Sequence, residues 1–231
     1  MFKSIFAASA LCIAAMNVAA QTADEIVAKH ITAMGGAEKM ATLNTVKMEG
    51  NLSMQGMDIP VVITKTHLKG NRLDLEIMGS SNYQIMNDKT GWLFFPVQQM
   101  DAPQEMPAEQ YASAKSQLDI RGALLNYKDK GYTVEAAGTE KVGGKDAHKL
   151  KVNKGTETST YYIDAATGYL LKTSAKREMQ GQSVDIETSY SDYKKNAEGF
   201  VFAYSMTVPQ GTMTFEKITA NGTVDEKIYS N

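Results

Sequence analysis

After Asn44 the hydrophobic pattern of this chain changes from a helical period to a period of two, and this constrains the fold more than any other feature. From Thr45 to Gln55 one face carries Val46, Met48, Gly50, Leu52 and Met54, while the other carries Thr45, Lys47, Glu49, Asn51, Ser53 and Gln55. Such alternation describes a strand with one wet face and one dry face. Leu73, Leu75 and Ile77 repeat it against Arg72, Asp74 and Glu76, with a less regular strand over 59–68 and a Gly70-Asn71 turn between. Further strands fit 82–87, 91–95, 132–142, 145–153, 157–164, 169–179, 182–193, 201–208 and 212–219, with Gly143-Gly144, Thr167-Gly168 and Gln180-Gly181 as turns. A meander of about a dozen strands exceeds the usual sheet, so it must curl rather than lie flat with long open edges.

Helical patterning is confined to short stretches. Thr22-Ala23-Asp24-Glu25 is a capping box, followed by Ile26, Val27, His30, Ile31 and Met34 at helical spacing and by Gly35-Gly36 as a stop. A short second helix fits Ala37 to Leu43. Residues 96–107 hold three of the five prolines and read as a loop, after which Pro107 to Arg121 is helix-like, with Tyr111, Ala114 and Leu118 on one stripe. No linker and no fixed-period repeat divides the chain, so residues 21–231 are expected to form a single domain.

The first twenty residues read as an export signal. Lys3 precedes an apolar run from Ser4 to Ala15, and Val18-Ala19-Ala20 supplies the small residues of a cleavage site before Gln21. The run is too short to span a bilayer. Cleavage removes Cys12, the only cysteine, so a mature chain of about 210 residues folds without a disulfide or thiol chemistry. The net charge of −2, without a basic run, argues against a nucleic-acid partner.

Catalytic signatures are absent from the pattern. His30, His67 and His148 fall in three different elements, none at metal-ligand spacing from another. No G-x-S-x-G elbow, P-loop or dinucleotide-binding glycine run occurs. Asp185 and Glu187 share a strand face, where solvated surface is the ordinary explanation. No cofactor or metal is expected. Methionine, by contrast, is abundant, at 14 residues. Flexible thioethers fill cores, and they also adapt to ligands of variable shape. A curled sheet with one apolar face and only two substantial helices to cover it leaves an apolar cleft wherever the cover falls short.

Residues 68–73, Leu-Lys-Gly-Asn-Arg-Leu, and 87–96, Asn-Asp-Lys-Thr-Gly-Trp-Leu-Phe-Phe-Pro, resemble the turn, strand and Trp-containing hairpin of LolA-like proteins, the lipoprotein-carrier superfamily, in a divergent branch seen in Bacteroidetes-type bacteria. Gly70 stands where that family has its turn proline. The order of elements also resembles the family's, as does Tyr161-Tyr162-Ile163-Asp164 with Thr167-Gly168. The resemblance implies a mainly β (α+β) fold: a large curved antiparallel sheet of about 11–12 strands forming an unclosed half-barrel, covered by two or three helices. It implies a periplasmic carrier, without covalent chemistry, for the acyl chain of a lipoprotein or lipid. An inner-membrane donor, an outer-membrane acceptor and a monomeric state go with that role. Trp92 falls on the family's motif. Alternation adds Met48, Leu52, Met54, Leu73, Leu75, Ile77 and Phe94 as expected cavity-facing residues, an assignment that a register slip of one residue would invert. The family's lid-fixing arginine is not evident, Arg72 and Arg121 being the candidates. A lipid sensor or adaptor of the same fold, an exported hydrolase and a filled structural protein are the alternatives.

Overall fold

A computed structural model describes residues 21–155, 157–179 and 182–231; the export signal expected over residues 1–20 and the Gln180-Gly181 turn lie outside them. One antiparallel sheet dominates. Its strands are β1 (Thr45–Met54), β2 (Met57–Thr66), β3 (Gly70–Ile77), β4 (Ser80–Asn87), β5 (Gly91–Phe94), β6 (Gln104–Glu105), β7 (Thr133–Val142), β8 (Lys145–Lys154), β9 (Glu157–Asp164), β10 (Leu170–Met179), β11 (Gln182–Lys195), β12 (Val201–Val208) and β13 (Gly211–Ala220). Three α-helices accompany it: α1 (Ala23–Ala33), α2 (Ala37–Ala41) and α3 (Ala108–Ala114). Among the described residues no helix is long and apolar enough to cross a membrane.

The strand order is β6-β5-β4-β3-β2-β1-β13-β12-β11-β10-β9-β8-β7. The first and last strands therefore pair in the middle of the sheet, Val46 opposite Ala220 and Leu52 opposite Met213. The two free edges, β6 and β7, belong to the middle of the chain. Residues 106–132 cross between them as a lid, and the barrel stays open there. Both edges are guarded against further pairing. Pro103 and Pro107 flank the short β6, and β7 is mostly exposed, with Glu135, Glu140 and Lys141 and a register shift between Ala136 and Thr139.

Local chemistry sets the helix limits. Thr22 Oγ1 accepts the Glu25 amide at 3.3 Å, and Glu25 Oε2 accepts the Thr22 amide at 2.8 Å; such a cap stabilises a helix by about 1 kcal/mol. Helix α1 lays Ile26 and Val27 on Leu150, Val152 and Ile163 of the sheet, with Leu124 and Tyr127 from the lid. The helical stretch expected to reach Arg121 ends earlier: α3 stops at Ala114, and a 3-10 turn covers Lys115–Leu118. Asp119 then turns its carboxylate back to accept the Arg121 amide at 3.1 Å, a local bond that competes with helix continuation. Helix α2 likewise ends at Ala41 rather than Leu43, where Thr42 Oγ1 donates to the Lys39 carbonyl at 2.7 Å.

Candidate functional site

Three of the apolar clusters in the interior border one space, the second and third sharing Ile120 and Phe202 as packing neighbours. The first lies under α1. The second joins Val46, Val61, Ile63, Phe215 and Ile218, and the third joins Leu43, Phe200 and Ala220. Between them remains a cavity of about 410 Å³, touched by Leu124 of the first, Val46 and Phe215 of the second, and Leu43 and Phe200 of the third. Pockets for small organic ligands run from roughly 300 to 1,000 Å³. Met34, Met40, Met48 and Met206 add thioethers to the wall, while the lid closes it with Ser116 to Leu125.

The register fixes which side chains share this concave face. Directly paired residues point to the same side of a sheet. Met48 pairs Ile63, Ile63 pairs Leu73, Leu73 pairs Gln84 and Gln84 pairs Leu93. Of the expected positions, Met48 lines the cavity. Leu52, Met54, Leu73, Leu75 and Ile77 share its face without touching the cavity: Leu52 is buried, and Leu73 and Leu75 pack on the second cluster. Trp92 and Phe94 do not share it. Trp92 pairs Ile85, which pairs Arg72, and Phe94 pairs Tyr83, so both stand on the convex face. Strand β5 reads Gly-Trp-Leu-Phe, too uniformly apolar for alternation to choose a side, and Leu93 is its inward residue.

Sequence reasoning missed the polar half of the wall. Tyr132, Tyr161, Tyr190 and Tyr193 line the cavity. Asp192 takes a left-handed conformation (φ 55°), which interrupts the alternation of β11 and lets Tyr190 and Tyr193, three apart, both reach inward. Tyr193 donates to the Leu170 carbonyl at 2.7 Å and stacks on Tyr169 with ring centroids 4.3 Å apart. Burial raises the pKa of Tyr161, Tyr190 and Tyr193, so all three remain neutral hydroxyls. His30 Nδ1 donates to the Gly168 carbonyl at 2.9 Å, and loss of hydration lowers its pKa.

Four fully ionisable side chains also reach the cavity: Lys65, Asp119, Arg121 and Lys154. Asp119 binds Lys130 Nζ at 2.5 Å and lies 3.6 Å from His67 Nδ1. Arg121 Nε donates to the Leu43 carbonyl at 3.0 Å, and its Nη2 to Asn44 Oδ1 at 2.9 Å. Lys154 lies 3.9 Å from Glu157. Lys65 is different. It ends the inward face of β2 after Ile59, Val61 and Ile63, and desolvation pulls its pKa below the ordinary lysine value. A lysine closing an otherwise apolar strand face was the available signal.

A histidine–carboxylate contact thus exists in His67 and Asp119, 3.6 Å apart, and among the described residues no serine or threonine hydroxyl is hydrogen-bonded to His67. His67 Nδ1 has no hydrogen-bond partner, and Ser116, the serine in the wall, donates to Glu157 at 3.4 Å. Asp185 is exposed, and Glu187 binds Lys172 at 2.7 Å. Among the described residues no group of three or more His, Cys, Asp or Glu side chains is placed to hold a metal ion.

The same fold is found in solved structures. The chain superimposes on a LolA superfamily protein from Nitrosomonas europaea with a TM-score of 0.56 and 12% identity, covering 92% of this chain and 99% of that one. A DUF1329 family protein from Desulfovibrio piger gives 0.58 and 11%, covering 91% and 98%. A putative outer membrane lipoprotein-sorting protein domain from Vibrio parahaemolyticus gives 0.50 and 15%, covering 89% and 94%. No protein-family model matches the sequence, and no curated protein matches it. The fold is LolA-like, reached with little sequence in common.

Proposed function

We propose that this protein is a non-enzymatic periplasmic carrier that holds an acyl chain of a lipid or lipoprotein under its lid and passes it between a donor and an acceptor. The observation that carries this reading is the hollow itself, which the apolar clusters leave unfilled behind a wall of methionine, leucine, valine and phenylalanine. Each methylene transferred from water into such a wall contributes about 0.8 kcal/mol. A chain of about ten carbons therefore gains several kcal/mol, enough to offset ordering of the lid. The thioethers let the wall follow chains of different length. The expected export signal supports the compartment, and the likeness to the Vibrio lipoprotein-sorting domain supports the cargo class.

The experiment is native mass spectrometry of the protein purified from the periplasm of an expressing bacterium, with lipid extraction of the same sample and titration of a fluorescent fatty acid. Acyl-containing species recovered at near one per protein, and displaced by the probe, would support the carrier. Ligand-free protein that leaves the probe in solution would sink it.

A further inference from the structure

Lys65 is a basic side chain with no counter-charge beside it. Among the described residues it takes part in no hydrogen bond or ion pair, whereas Asp119 is held by Lys130, Arg121 is spent on Leu43 and Asn44, and Lys154 faces Glu157. Its direct cross-strand neighbours are Val46 on β1 and Asn71 on β3. Asn71 does not bond it, its Oδ1 being buried without a hydrogen-bond partner. Lys65 lines the cavity half-buried, and no nearby charge compensates the hydration it loses there. Burying an ammonium this way is costly unless an anion meets it. With Arg121 and Lys154 also in the wall, cations outnumber the single carboxylate of Asp119.

We propose that the cavity selects amphiphiles with an anionic head, a carboxylate or a phosphate, seated against the Lys65 ammonium while the hydrocarbon tail lies among Met48, Met206, Phe202 and Phe215. This rests on the carrier reading and narrows it. A fatty acid or a single-chain phospholipid brings the required charge, whereas neutral glycerides and the ester- and amide-linked acyl groups of a lipoprotein anchor do not. The lysine thus turns a general apolar hollow into one that discriminates by head group: a charged head leaves no buried cation unpaired, and a neutral head does.

The test compares three ligands of equal chain length, palmitate, hexadecanol and 1-palmitoyl lysophosphatidic acid, by competition against a fluorescent acyl probe. The full mature protein and its Lys65→Met and Lys65→Arg variants are used. In the unaltered protein at least one anionic ligand is expected to bind about tenfold to a hundredfold tighter than hexadecanol, the value of one charged hydrogen bond. Whichever binds tighter identifies the head as carboxylate or phosphate. Lys65→Met is expected to abolish that preference, with hexadecanol bound no more weakly than before because a neutral head then strands no cation, and Lys65→Arg to keep much of it. Retained hexadecanol binding in Lys65→Met also certifies that the variant folds. Equal affinity for charged and neutral heads, or a preference that survives Lys65→Met, would overturn the head-group proposal and leave the carrier standing. Failure of all three ligands would overturn both.

Discussion

Arg121, in the lid, donates through Nε to the backbone carbonyl of Leu43, just before β1, at 3.0 Å, and its Nη2 reaches Asn44 Oδ1 at 2.9 Å. Of the two arginines considered for fixing the lid, this one bonds across from the segment between β6 and β7 to the residues before β1. Arg72 instead binds Asp74 and the Ile228 carbonyl on the convex side. The guanidinium fork spans two acceptors that an ammonium cannot reach together. The Leu68 amide, which donates to the Leu118 carbonyl at 2.8 Å, and Lys130, which donates to the Gly122 carbonyl at 2.8 Å, hold the same segment down.

Replacing Arg121 with Ala is accordingly expected to loosen the lid without unfolding the barrel. The cost should be about 1–2 kcal/mol, because the bonds are charge-assisted but partly solvated. Hydrogen exchange should accelerate at residues 119–125 and not in β8 or β9, and Arg121→Lys should restore only part of the protection. Uniform acceleration across the sheet would mean the arginine supports the whole fold.

Acid should open the same region. Desolvation, then the Arg121 charge, lowers the pKa of His67 from 6.5; Lys130 adds to this and Asp119 opposes it. Desolvation lowers that of His30 against the bond to Gly168. For both rings the unfolded chain binds protons more readily than the folded one just below pH 6.5. Stability is therefore full above that value and falls as pH drops through the window beneath it, by up to about 1.4 kcal/mol per pH unit for each ring. Denaturant midpoints between pH 7.5 and 5 measure this. His67→Gln should flatten the profile, and an unchanged slope in that variant would remove His67 from the account.

Glycine opens β3 at position 70 for a reason visible on the convex face. A Cβ built there lies 2.1 Å from the ring of Tyr229, whose hydroxyl is 2.9 Å from Thr66 Oγ1. The C-terminal turn Glu226–Tyr229 is docked through this contact, and Asn87 Nδ2 donates to the Tyr229 carbonyl at 3.1 Å. Gly70→Ala should cost about 1–3 kcal/mol as overpacking, and much less in a Tyr229→Ala background. Equal costs in both backgrounds would show that the backbone of β3, not the tyrosine ring, demands glycine.

Much of this architecture was legible from period-two alternation, because a strand with one dry face states its own orientation. The pairing of β1 with β13 was not, since nothing local in either strand specifies a partner about 170 residues away. The site divided along the same line. Met48 was readable because its neighbours in β1 alternate cleanly, whereas Tyr190 and Tyr193 depend on the φ of 55° at Asp192 and Lys65 on what the folded interior fails to place beside it. Trp92 and Phe94 were misassigned because four successive residues of β5 carry no polar contrast.

Filling the hollow separates cavity from core. Met48 lines it from the concave face, and Met48→Trp extends a larger ring into space that the protein leaves empty. Overpacking a filled core costs roughly 1–3 kcal/mol, but filling a cavity commonly adds about 0.5–2 kcal/mol of stability. The variant is expected to melt no lower than the unaltered protein and to lose at least tenfold in affinity for a fluorescent fatty acid. Large destabilisation would show that the space is already occupied by neighbouring side chains.

The single tryptophan provides the sharpest check on the face assignment. Trp92 shares the convex side with Ile85 and Arg72, so the sheet stands between its indole and the cavity. Bromine on an acyl chain quenches indoles only near contact. A brominated fatty acid bound in the hollow should therefore leave Trp92 emission nearly unchanged. A Trp92→Phe, Phe202→Trp variant, which moves the indole to a cavity-lining position, should be quenched as the ligand saturates. Phe202 packs on the second and third clusters but is only partly buried and borders the hollow, so the larger indole has open space beside it and the variant should remain folded. Saturable quenching of Trp92 in the unaltered protein, with none of the relocated indole, would reverse the faces and place acyl binding on the side of the sheet where Tyr229 docks.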